Sequence, residues 1–204
     1  MNVANKLAPA QRPPKFEGMS TDLTGKLLLA MPTMGDERFS HAVIYMCAHG
    51  EDGAMGLMIN KPVEDLKFSD LLKQLSIDTE EDVDRIKIYE GGPVELGRGF
   101  VLHSADYQGS NSTLQVEPHI GMTATLDVLE DLASGNGPQK RLLALGYSGW
   151  GPGQLEDEIL ANGWLTVDAD PELIFGTSDE DKWEAAINKL GVDPRLLSTE
   201  AGSA

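Results

Sequence analysis

Apolar residues along this chain fall in short runs bounded by Gly, Pro, Asn and Asp, the signature of β-strands separated by turns. "GKLLLA" predicts a first strand, "HAVIYMCAH" a second and "MGLMINK" a third. The last two read as a hairpin joined through "GEDGA", with Asp52-Gly53 supplying the turn. "FSDLLKQLS" carries helical spacing, with Leu71, Leu72 and Leu75 on one side. "IKIYEGGP", "GFVLHS", "STLQVE" and "IGMTAT" predict further strands, and "LDVLEDLAS", capped by Thr125 or Asp127, a helix ending near Gly135. "RLLALGYS" returns as a buried strand, "GWGPGQLEDEI" turns into a helix, and "WLTVD" is a last strand. A final helix follows in "SDEDKWEAAINKLG": Ser178 and Asp181 form its capping box, Trp183, Ile187 and Leu190 its apolar face, and Gly191 its stop. Several strands follow one another with no helix between them, which excludes a doubly wound sheet. The expected fold is α+β, mainly antiparallel, with about four flanking helices.

Both ends lack an apolar period, so residues 1–20 and 198–204 are expected to be tails around a single domain over residues 21–197. The 204 residues suffice for one core. A single cysteine, Cys47, requires no oxidising compartment, and no apolar run approaches the roughly 20 residues of a membrane span. The start of the chain has no apolar segment of the secretory kind, and a cytoplasmic location is expected.

Charge narrows the function more than hydropathy does. The net charge is −17, and residues 1–30 hold four cations against two carboxylates, which leaves −19 on residues 31–204. Such a surface repels nucleic acid and anionic membrane. The segment "FSDLLKQLSIDTEEDVDRIK" could be taken for a helix-turn-helix, but Glu80, Glu81, Asp82 and Asp84 occupy its would-be recognition element.

Three further motifs invite chemical readings. "GYSGWG" approaches a nucleophile elbow at Ser148, yet Trp150 stands at the second glycine position, and His41, His49, His103 and His119 all precede the serine. A helix start explains the same residues: Gly151 as N-cap, Pro152 at the first helical position, Gln154 reaching back, and Glu156, Asp157 and Glu158 at the positive helix end. "EGGPVELGRG" has the glycine spacing of a phosphate loop, but Arg98 and Gly99 replace its lysine and hydroxyl. His41, Cys47 and His49 share one face of a strand by alternation, together with Val43 and Tyr45, which favours a packed face over a metal site. No cofactor or metal is expected.

Taken in order, "MPTMGDERFSHAVIYMCAH", "GAMGLMINKP", "GGPV" with "RGFVLHS", "LALGYSGWGPGQLEDEI", "NGWLTVDAD" and "LIFGTSDEDKWEAAINKLG" resemble the YqgE/AlgH family. This is an uncharacterised bacterial family, some of whose members are labelled transcriptional regulators. Glu90 before the double glycine and Ser203 near the end depart from its pattern. The resemblance implies a compact α+β domain with a strongly bent, barrel-like sheet system and no established reaction.

The function expected from these readings is that of a cytoplasmic regulatory or accessory protein. It would bind a protein or small-molecule partner, without direct contact to DNA or membrane and without catalysis. The alternative is a hydrolase using polar residues at the Gly-rich turns. "INKP", "GGPV" and "GWGPGQLE" each follow a strand, where scaffolds present functional groups. Asn60, Lys61, Gly91, Gly92, Trp150 and Gln154 are therefore the expected binding residues on one shared surface.

Overall fold

One strand belongs to both halves of the molecule, and the rest of the architecture follows from it. The computed structural model describes residues 22–109 and 112–197; the tails expected over 1–20 and 198–204 lie outside these, as does Ser203. The strands are β1 (Lys26–Ala30), β2 (Val43–Gly50), β3 (Gly53–Met58), β4 (Ile88–Glu90), β5 (Val94–Ser104), β6 (Thr113–Glu117), β7 (Ile120–Thr123), β8 (Arg141–Trp150) and β9 (Trp164–Asp168). The helices are α1 (Phe68–Gln74), α2 (Leu126–Ala133), α3 (Gln154–Leu160) and α4 (Lys182–Lys189). The strands follow the order β6-β7-β5-β8-β3-β2-β1-β9, with β4 paired to β8. Every pairing is antiparallel except β4 with β8, and the sheet curls into a half-barrel. The fold is α+β.

β8 is the shared strand. Residues from Arg141 to Leu145 pair with β5, and Leu143 to Leu145 also pair with β4 on the other side. Beyond the bend, Ser148, Gly149 and Trp150 pair with β3. Gly146 makes this change of direction at φ +69°, and a Cβ there would lie 2.5 Å from the Gly92 carbonyl oxygen and 2.8 Å from that of Val94. Only glycine meets both demands.

The apolar runs are continuous because the central strands are covered on both faces. Inside the curl, Leu27, Leu29, Val43, Tyr45, Leu57 and Phe100 pack with Trp183 and Ile187 of α4. Outside it, Leu28, Ile44, Met46 and Met58 meet Leu155 of α3 with Trp150 and Trp164. On the other outer flank, α1 and α2 bury Phe68, Leu72, Val128, Leu129 and Leu132 against Val101 and Leu143. Burial of an aliphatic side chain of this kind is worth about 1.5–3 kcal/mol.

Several local expectations shift. The hairpin turn is Glu51-Asp52, and Gly53 opposite Gly50 already belongs to β3. A bulge in β2 between Met46 and Ala48 breaks the alternation. Cys47 therefore faces the inner core, whereas His49, opposite Ala54, turns to the outer layer. The expected common face of His41, Cys47 and His49 does not exist, and His41 precedes the strand at φ +54°. The cap of α3 is Gly153 at φ +75°, two residues later than expected, which places Pro152 in the preceding turn. The Gln154 side chain nevertheless reaches back, its Oε1 accepting from the Gly151 amide at 3.0 Å. Leu75 and Leu190 end their helices exposed. The expected capping box is displaced: α4 is capped by Asp181 without a side-chain bond, and Ser178 stands three residues earlier in the preceding turn, where its Oγ accepts from the Asp181 amide at 3.3 Å. A π-helical turn at Glu172–Gly176 had no periodic signal in the sequence.

Candidate functional site

Beyond β3 the chain stays extended and runs beside β4, because "NKPV" supplies backbone groups that the short strand β4 lacks on that side. The Glu90 amide donates to the Lys61 carbonyl and the Val63 amide to the Ile88 carbonyl, both at 2.8 Å. Pro62 faces Tyr89 in an isolated bridge, where its missing N–H is no loss. Asn60 substitutes for a strand partner: its Oδ1 accepts from the Val43 amide at 2.8 Å, and its Nδ2 donates to the His41 carbonyl at 2.9 Å. Lys61 Nζ donates to the Ser40 carbonyl at 2.6 Å.

A buried polar wall stands next to this junction. Lys182, 2% exposed at the start of α4, donates to the Ile59 carbonyl at 2.8 Å and the Ile174 carbonyl at 3.0 Å. It thereby ties the end of β3 to the π-helical turn. Asp179 completes the wall, with Nζ of Lys182 at 3.7 Å, Tyr89 donating its hydroxyl at 3.0 Å and Lys87 its ammonium at 2.7 Å. Burial lowers the Lys182 pKa against the opposing pull of Asp179. Burial also raises the Tyr89 pKa, and the adjoining Asp179 carboxylate adds to the rise. Tyr89 therefore stays a neutral donor.

Clefts flank the wall on both sides. One, of about 830 Å³, is bounded by Asn60, Lys61, Glu64, Asp84, Lys87 and Glu90. The other, of about 580 Å³, is bounded by Arg85, Lys87, Lys140, Arg141, Glu172 and Thr177. An apolar groove of about 610 Å³, lined by Met55, Phe100, Met122, Tyr147 and Trp150, lies apart from both.

The six residues expected to bind a partner occupy two places. Asn60, Lys61, Gly91 and Gly92 come together, since the Glu90 amide meets Lys61 and the Met58 amide donates to the Gly91 carbonyl at 2.9 Å. Asn60 and Lys61 line the larger cleft, while Gly91 and Gly92 are buried against β8. A Cβ on Gly91 would lie 2.2 Å from the Gly146 carbonyl oxygen, and one on Gly92 2.2 Å from the Tyr147 carbonyl carbon. Their role is to let two backbones touch. Trp150 and Gln154 lie at the opposite end of β3, where Trp150 pairs with Ala54. There the indoles of Trp150 and Trp164 donate to Glu158 Oε2 at 2.9 and 2.8 Å, and Gln154 Nε2 donates to Glu158 Oε1 at 2.9 Å. Asn60 and Lys61 thus sit past one end of β3, and Trp150 stands opposite Ala54 near its other end.

Lys87, Tyr89, Asp179 and Lys182 were missed by pattern reading. A signal existed for Lys182: a cation in the first turn of a helix opposes the helix dipole, so it calls for a specific partner. Ser148 is 1% exposed and donates to the Gly91 carbonyl at 3.3 Å, out of reach of a substrate. His49 Nδ1 accepts from the Leu23 amide at 3.2 Å, and its Nε2 donates to Glu156 at 3.0 Å. Burial raises the Cys47 thiol to about 12, so it is not a thiolate at neutral pH. Among the described residues, no group of three or more His, Cys, Asp and Glu could hold a metal ion, and no helix is long and apolar enough to cross a membrane.

Comparison with known proteins places this arrangement in a family. Residues 27–195 match the family described as AlgH-like. A UPF0301 protein of Ruegeria pomeroyi is 60% identical over 184 residues, covering 90% of this chain and 100% of the relative. One from Bradyrhizobium diazoefficiens is 49% identical over 199 residues, covering 94% and 92%. The solution structure of the AlgH protein from Pseudomonas aeruginosa superposes with a TM-score of 0.75 at 42% identity, over 92% of this chain and 99% of that one. A crystal structure of a Corynebacterium diphtheriae protein, at 21% identity and a TM-score of 0.68 over 87% and 92%, shares the fold. Matched over nearly its whole described length, the chain belongs to the AlgH-like family.

Proposed function

We propose that the protein is a cytoplasmic regulatory or accessory module that binds a protein or small-molecule partner at the paired clefts beside the Lys87–Asp179 wall, and that it catalyses no reaction of its own. The observation that carries this reading is the wall itself. Asp179 is held by three side chains and Lys182 by two backbone carbonyls, so the groups between the clefts are fixed before any partner arrives. Preorganised polar groups in a concave setting are what recognition requires. The buried positions of Ser148 and Cys47 weigh against the hydrolase reading, because the nucleophile candidates lie behind packed backbone. The net charge of −17 weighs against duplex DNA as the partner.

The test compares co-purification from native cells by the wild-type chain and by a Lys61→Ala, Lys87→Ala variant, with proteins and metabolites identified by mass spectrometry. A partner recovered by the wild type and lost from the variant, at unchanged melting temperature, is the expected outcome. Equal recovery by both would remove the clefts as the site. A hydrolytic turnover that survives purification to homogeneity would replace binding by catalysis.

A further inference from the structure

The smaller cleft is a local reversal of charge. Arg85, Lys87, Lys140 and Arg141 border it against two carboxylates, Glu172 and Asp179, in a chain with 33 acidic and 16 basic residues. Asp179 is already matched by Lys87 and Lys182.

The parallel pairing of β4 with β8 produces this convergence. Ile88 stands opposite Leu143, so the residues just before each strand enter side by side. Two short basic segments, 85–87 and 140–141, thus meet although more than fifty residues separate them. Phe175 and Ile86 give the cleft an apolar wall, which strengthens the field that the cations cast into it.

Ion pairing supplies an independent observation. The described residues contain 13 lysines and arginines, and only Lys61, Lys140 and Arg141 make no ion pair with a described carboxylate. Two of those three are adjacent here. The Arg141 guanidinium donates only to the Pro138 and Gln139 carbonyls, at 2.9 and 3.4 Å, and Arg85 pairs with Asp82, which does not line the cleft. In so acidic a chain, adjacent cations without a carboxylate partner mark a place for an anion from outside.

We infer that this cleft binds a small polyanion of the pyrophosphoryl class, with Arg85, Lys140 and Arg141 as its counter-charges. Two arginine forks match phosphoryl oxygens in geometry, and Lys140 acts as a point charge. A monocarboxylate would engage only part of this set. The inference rests on the binding role proposed above and names the ligand class for one of the two clefts.

Titration calorimetry of the full chain with inorganic pyrophosphate, adenosine diphosphate and citrate tests it. Saturable binding of pyrophosphate and adenosine diphosphate is expected. It should be weakened at least tenfold by Lys140→Gln with Arg141→Gln, and left unchanged by the equally charge-reducing pair Lys73→Gln and Arg195→Gln. Both pairs lie on exposed positions, and thermal melts verify that they fold. Absence of saturable binding, equal weakening by the two pairs, or citrate binding as tight as pyrophosphate would each overturn the ligand class. If pyrophosphate fails to bind while Lys61→Ala with Lys87→Ala still abolishes partner recovery, the ligand class falls and the binding role stands.

Discussion

His103 shows how far a single side chain can be read from its neighbours. The Gly109 amide donates to Thr113 Oγ1 at 3.3 Å, Thr113 to Thr123 Oγ1 at 2.7 Å, and Thr123 to His103 Nε2 at 2.9 Å. His103 Nδ1 then donates to the Ser104 carbonyl at 2.9 Å. The Ser104 carbonyl can only accept, so Nδ1 carries a proton; in the neutral imidazole Nε2 accepts from Thr123, whose single proton leaves Thr113 to donate to it. Burial, the largest influence, holds the pKa below its ordinary 6.5. Below that value the unfolded chain takes up a proton that the folded one refuses. The stability His103 contributes is therefore complete above 6.5 and is lost as pH falls through it toward the lowered folded value. Urea midpoints between about pH 7 and pH 5 are expected to fall more for the wild type than for His103→Gln, whose unpaired neighbours cost about 1–3 kcal/mol at either pH. Equal slopes would mean that His103 titrates normally. In the sequence, His103 was visible only as a histidine that precedes Ser148; its hydrogen-bonded chain joins three strands and a loop, and no spacing encodes that.

Among the elements, β8 carries the most demanding geometry. Gly146→Ala forces a Cβ against two carbonyl oxygens at positive φ, and the loss is expected at about 2–5 kcal/mol. Gly135 has φ +76° with nothing within 4 Å of an added Cβ, so Gly135→Ala is expected to cost only ~1–2 kcal/mol. Guanidinium unfolding of the two variants separates contact from backbone strain; similar losses would mean that Gly92 and Val94 yield. The strands themselves were legible because burial on both faces writes unbroken apolar runs. The β2 bulge was not, because an extra residue is defined only against the partner strand. The start of α3 was displaced for a related reason: Gly151 and Gly153 both suit a cap, and the turn joining β8 to the helix selects the second.

For the whole molecule, charge distribution decides what can approach. With −17 spread over the chain, duplex DNA gains little from counterion release, and a mobility shift at physiological salt is expected to be blank. A sequence-specific shift at submicromolar protein would restore DNA as the partner. Net acidity was legible at once. Its local reversal between residues 85–87 and 140–141 was not, since it exists only after β4 lies parallel to β8. The same holds for the wall beside it, whose members stand at residues 87, 89, 179 and 182. Of the expected site, Asn60 and Lys61 were found because a strand end is visible in sequence. Their companions come from segments that only the fold brings near.

The position of β8 in the chain also sets when the molecule can form during synthesis. Its partners β3, β4 and β5 are all made earlier, yet each waits for residues 141–150 before its edge is covered. The growing chain thus carries open strand edges until most of it has been made, when one late strand joins the two halves and leaves the edge of β1 to β9.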